Sequence, residues 1–147
     1  MKSSKRITPG FKTIIFGCAI LTIFTTNAIA QTADRSPATV IVKMVDKSTA
    51  QWRFEPSEFT VMPGDTVRFV QEDIVPHNVE FTKSPKASRI DNVRMGPFLM
   101  TLGQTYDVVV TDQFVAGTYK FVCTPHRSLR MVGEMTVVTN DEVIASN

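Results

Sequence analysis

The chain has 147 residues, 43% hydrophobic and 20% charged, and no internal repeat or low-complexity segment. That length suffices for one domain with its own core and no disulfide. Sixteen Lys and Arg against 14 Asp and Glu give a net charge of +2, and no basic run interleaves with aromatic residues, which argues against nucleic acid as a partner.

The chain starts with Lys2, Lys5, Arg6 and Lys12 and no acid. An apolar run over 13–24 follows, too short for a comfortable membrane span of roughly 20 residues, and leads to Ala28-Ile29-Ala30. Basic head, short apolar middle and small-x-small end read as a secretory signal peptide over 1–30, cut after Ala30. The alternative is an uncleaved N-terminal anchor. A lipoprotein reading through Gly17-Cys18 fits less well, because Cys18 lies inside the apolar run. Cleavage leaves a single domain, 31–147, with 12 basic and 14 acidic residues and a net charge of −2. It also removes Cys18, so Cys123 becomes a lone thiol in an oxidising compartment.

Residues 31–37 are polar and read as a frayed start. From Ala38, Val40, Val42 and Met44 alternate with Ile41, Lys43 and Val45, the pattern of a strand with one buried face. A turn over 46–51 leads to an intermittently apolar segment, 52–62, broken at Pro56-Ser57. Met62-Pro63-Gly64-Asp65 is a turn, and 66–70 a β-branched and aromatic strand. His77, Val79 and Phe81 alternate in a strand over 75–82. Residues 83–95 form a basic loop or one short helical turn, and 97–102 a further strand before Gly103. Strands over 105–111, 118–123 and 134–139 complete the pattern, with Tyr119, Phe121 and Cys123 on one face. Seven to eight short strands with frequent turns predict an all-β fold, a Greek-key β-sandwich of two sheets.

The chemistry concentrates in Cys123-Thr124-Pro125-His126 and Met131, with His77 as a second imidazole 46 residues before the Cys. Each has an ordinary reading: a hydrogen-bonded strand histidine, a methionine filling core, a buried thiol. Together they are one thiolate, two imidazoles and one thioether, the donors of a trigonal copper site with a weak axial Met. Met is a poor zinc ligand, and a catalytic zinc keeps an open position that this set does not provide. A closed site acceptable to both Cu(I) and Cu(II) suits electron transfer better than bond-making.

The segments 119–126 and Met131-Val132-Gly133, with Pro76-His77-Asn78-Val79, Met62-Pro63-Gly64-Asp65-Thr66 and Ala116-Gly117-Thr118-Tyr119, resemble the cupredoxins, most closely plastocyanins and pseudoazurins. The resemblance covers essentially all of 31–147 and implies one type 1 copper ion, cycling between Cu(I) and Cu(II), at one end of the sandwich. It makes His77, Cys123 and His126 equatorial ligands and Met131 the axial one. It implies that Asn78 ties the two ligand-bearing segments together through Thr124, and that His126 reaches the surface within a docking patch of Pro76 and Pro125. Arg127 and Arg130 join that patch and favour a partner with an acidic or mixed surface.

The sequence also departs from the family. Arg127-Ser128-Leu129-Arg130 replaces a Gly-rich stretch, which matters if a position there needs φ > 0. Val122 replaces the Tyr of the plant proteins' remote transfer route, the stretch 83–94 is basic where those proteins are acidic, and too few residues follow Val138 for the pseudoazurin helices. The expectation is a monomeric, exported one-electron carrier, of a periplasm or thylakoid-lumen-like compartment, with transient protein partners and no stable membrane association once the leader is cut. The alternative is a carrier that delivers copper to a cuproenzyme. An enzyme of the nitrite- or multicopper-reductase type lacks support because there is no second His-rich cluster.

Overall fold

The computed structural model describes residues 35–48 and 51–139. The expected signal peptide, most of the expected frayed start and the tail beyond Thr139 lie outside them. Eight strands form two four-stranded sheets: β1 (Thr39–Asp46), β2 (Trp52–Glu55), β3 (Glu58–Val61), β4 (Thr66–Gln71), β5 (Glu80–Lys83), β6 (Thr105–Val109), β7 (Gly117–Val122) and β8 (Val132–Val137). One sheet has the order β2-β1-β4-β6, the other β3-β8-β7-β5. Parallel pairing of β1 with β4 and of β3 with β8 interlocks distant parts of the chain. No helix among the described residues is long and apolar enough to cross a membrane.

The alternation read in β1 is realised over 41–44, with Val42 and Met44 buried and Ile41 and Lys43 exposed, but Val45, expected on the face of Ile41 and Lys43, is buried too. Phe121 on β7 is the hub of the core, with ring centroids of Phe54, Phe69, Phe81 and Phe59 4.8, 5.5, 5.9 and 6.0 Å away. Full burial of each such ring contributes about 1.5–3 kcal/mol relative to exposure. Asp65, 2% exposed, fastens the start of β1 to the turn before β4 by accepting from the Ala38 and Met62 amides at 2.8 and 2.9 Å. Arg35 pairs with the same carboxylate, so the start expected to fray up to Pro37 is tied down there.

Two local expectations are corrected. The strand read over 75–82 is regular only from Glu80. Its alternation is real, since His77, Val79 and Phe81 are all buried, but His77 meets only a single bridge, to Leu99. The strand read over 97–102 is absent; Leu99 alone turns inward while Phe98, Met100 and Leu102 stay about half exposed or more. Of the two readings for 83–95 the loop holds: Lys83 ends β5, and 84–95 carry turns with no helical segment.

Candidate metal centre

β5 runs antiparallel to β7, and Glu80 pairs with Val122. The chain just before β5 therefore meets the chain just after β7, which brings His77 to Cys123 at one end of the sandwich. The segment after Cys123 folds back on its own backbone. Cys123 N–H donates to Met131 O at 3.0 Å, His126 N–H to Cys123 O at 3.1 Å, and Met131 N–H to His126 O at 3.2 Å. Between His126 and Met131 lies a 3₁₀ turn, Arg127–Leu129. These bonds fix the loop that carries Cys123, His126 and Met131.

Arg130 ends that turn with φ 65° and ψ 26°, the left-handed region. This answers the question raised by the missing glycines: one position in the loop does need positive φ, and an arginine occupies it. Such a conformation strains a residue with a Cβ. Arg130→Gly is expected to stabilise the protein by about 0.5–1 kcal/mol, because relief of strain exceeds the added freedom of the unfolded chain. Urea denaturation checks this, and an unchanged or lower midpoint would count against strain at this position.

Three donor atoms converge. Cys123 Sγ lies 3.5 Å from His77 Nδ1 and 3.3 Å from His126 Nδ1, and the two Nδ1 atoms are 3.0 Å apart. A point equidistant from atoms so spaced lies about 1.9 Å from each, close to the roughly 2.0–2.1 Å bond from imidazole to zinc, copper's neighbour. Cys123 and His77 are fully buried and His126 is 8% exposed. Met131 is buried in the same core, held beside Cys123 and His126 by the backbone bonds above. The thiolate and imidazole donors suit copper, and among the described residues no carboxylate joins this group of metal-ligating atoms.

Asn78 Nδ2 donates to Thr124 Oγ1 at 3.0 Å, and Thr124 N–H returns to Asn78 Oδ1 at 2.8 Å. The two ligand-bearing segments are thereby clasped across 46 residues. Of the residues expected in a docking patch, Pro125, Arg127 and Arg130 are exposed and Pro76 is half-buried.

Two neighbours of the ligands had no signal in the sequence. The Trp52 ring lies over His126, centroids 4.1 Å apart and tilted 33°. Asp73 places Oδ2 3.4 Å from His77 Nε2. Trp52 stands 74 residues from its partner, and Asp73 lies beyond the strand read over 66–70, in no motif that singles it out.

Burial lowers the pKa of His77, against the opposing hydrogen bond from Asp73, and lowers that of His126. Burial pushes the Cys123 thiol up, outweighing the Asn78 and His126 amides. Both imidazoles are thus neutral and ready to ligate at neutral pH, and the thiol must release a proton on metallation. For the metal-free protein, depressed His values mean stability that is lost as pH falls below about 6.5, where the unfolded imidazoles take up protons. A raised thiol value means stability that is lost as pH rises past about 8.5, where the unfolded thiol ionises. Denaturation midpoints of the metal-free protein across pH 5–10 are expected to peak between those limits, and a flat profile would contradict this.

The family model of copper-binding proteins of the plastocyanin/azurin type matches residues 40–138. The chain belongs to the plastocyanin/azurin family. As a cupredoxin it is 34% identical to a plastocyanin of Prochlorothrix hollandica over 134 residues, 91% of this chain and 94% of that one. It is 33% identical to a plastocyanin of Nostoc punctiforme, covering 92% and 94%. Among solved structures, a mutant plastocyanin of fern superposes with a TM-score of 0.56 at 28% identity, covering 67% of this cupredoxin and all of the fern chain. The sandwich and its copper chemistry are those of this family.

Proposed function

We propose that this cupredoxin is an exported one-electron carrier. In this reading His77, Cys123 and His126 hold one copper ion and Met131 is its weak axial ligand. The observation that carries the proposal is the triangle of one sulfur and two nitrogens, on two fully buried residues and on His126, which is 8% exposed. The bound ion would supply a one-electron couple whose two states accept the same donors. The protein's part is to keep those donors still. The Asn78–Thr124 clasp and the backbone-bonded loop resist rearrangement, so little reorganisation accompanies the change of charge. His126 is the exit toward a partner, with Trp52 against one ring face.

The docking surface in this proposal surrounds His126. Pro76, Pro125, Arg127 and Arg130 belong to it, together with Ile74 and Leu129, 82% and 49% exposed on the two ligand-bearing segments. Apolar contact allows brief docking, and the two arginines steer a partner with acidic or mixed charge. The leader 1–30 would be cut after Ala30, leaving 31–147 as a monomer without stable membrane attachment. The plastocyanin relatives support this reading.

The test is a visible spectrum of the mature protein with one equivalent of Cu(II), before and after a mild reductant, followed by a chelator challenge. An intense blue band that bleaches, returns on reoxidation and survives the chelator supports the shuttle. Ready loss of Cu(I) to the chelator would favour copper delivery instead, and weak absorption alone would remove Cys123 from the ligand set.

A further inference from the structure

His77 has two ring nitrogens with two destinations. Nδ1 faces Cys123 and His126, and Nε2 faces Oδ2 of Asp73 at 3.4 Å. With Nδ1 free to ligate, the ring proton sits on Nε2 and is donated to the carboxylate. The ring is wholly buried, and the Asp73 side chain is 10% exposed. The carboxylate is fixed from its other side: Oδ1 accepts the Ile74 amide at 2.6 Å and the Val75 amide at 3.4 Å. The Gln71 side-chain amide donates to Val75 O at 2.6 Å and closes the same short segment. Glu72, next door, points the other way and pairs with Lys43 at 2.9 Å, with its side chain 36% exposed. Of two adjacent acids, one is turned outward to a lysine and one inward to a ligand ring.

We propose that Asp73 is a positioning residue that sets the copper potential: it fixes His77 in the Nε2–H form and favours the oxidised state of the bound ion. This rests on the copper reading above. An imidazole whose remote N–H is held by a carboxylate is a better donor, and partners at this position change metal affinity by roughly 10–100-fold. The negative charge is also weakly screened, because the ring between it and the ion is dry. Both effects stabilise Cu(II) more than Cu(I). Asp73 exchanges nothing itself: the one electron taken up by a bound copper ion would come from a reduced partner protein, and the Nε2 proton would stay on His77.

The experiment compares Asp73→Asn with Glu72→Gln in the copper-loaded mature protein. Asparagine keeps an oxygen for the Ile74 and Val75 amides and loses the charge. The ratio of Cu(II) to Cu(I) affinity is expected to fall about tenfold, a rise in potential of about 59 mV for one electron. Glu72→Gln removes the same charge from the same segment and should move the potential by less than a third of that. Equal shifts in the two variants, or no shift in Asp73→Asn, would overturn the proposal.

A second readout needs neither variant nor colour. In the zinc-substituted protein, NMR of the imidazole nitrogens should show a slowly exchanging His77 Nε2 proton, displaced downfield by its carboxylate partner. Rapid exchange of that proton in the parent protein would overturn the proposal even if a variant failed to fold. A parent protein that never turns blue would sink the carrier reading and leave this measurement to decide the role of Asp73.

Discussion

Cys123→Ser is expected to abolish the intense blue absorption and to weaken copper binding by at least about 100-fold, beyond what loss of an outer partner of a ligand costs. The sulfur is the only thiolate of the donor triangle, and the other two corners are imidazoles. A serine hydroxyl is nearly the same size, so the loop and its backbone bonds survive, but it stays protonated at neutral pH and is a harder donor with little affinity for Cu(I). Two imidazoles then remain, giving ordinary weak Cu(II) absorption. The visible spectrum and a competition titration with a chelator of known affinity read both effects. A serine variant that stayed blue would sink the assignment of Cys123.

Gly133→Ala is expected to destabilise the fold by about 3 kcal/mol, the upper part of the range for overpacked cores. Gly133 sits on β8 directly across from Phe121 on β7. A Cβ built there would lie 2.3 Å from Phe121 Cζ, 2.5 Å from its Cε2 and 3.0 Å from the Ser57 backbone oxygen. Phe121 has nowhere to go, since it is packed among Phe54, Phe59, Phe69 and Phe81. The ring lies two residues before Cys123 and the glycine two after Met131, so displacement reaches both the expected ligands. Denaturation of the metal-free protein measures the loss, and the blue band of the loaded variant should shift as well. An unchanged midpoint would mean that Phe121 can yield, contrary to the packing around it.

How much of this was readable in the residues follows from how far each signal reaches along the chain. β1 was legible because burial on one face writes itself as alternation, here from Thr39 to Met44 before Val45 breaks it. The donors were legible because thiolate, imidazole and thioether are scarce types at a distinctive spacing. The segment before β5 misled because alternation reports which side chains turn inward, not whether the backbone finds a ladder. His77, Val79 and Phe81 do turn inward, yet the backbone there meets only isolated bridges, His77 to Leu99 and Glu80 to Met95. The left-handed Arg130 was legible only as a question, since no glycine marks the position and the sequence showed only that the family's Gly-rich stretch is missing there. Trp52 over His126 is a contact across 74 residues, set by the sheet rather than by any local pattern.

The complete burial of Cys123 bears on how long the protein lasts before it meets copper. Disulfide exchange and oxidation to sulfenic acid both need a thiolate that a reagent can touch. Here the sulfur has no exposure, and burial keeps the thiol protonated. An empty protein in oxidising surroundings is therefore damaged or cross-linked only during the moments when the ligand loop opens. Its shelf life is set by the free energy of that opening rather than by the intrinsic reactivity of sulfur.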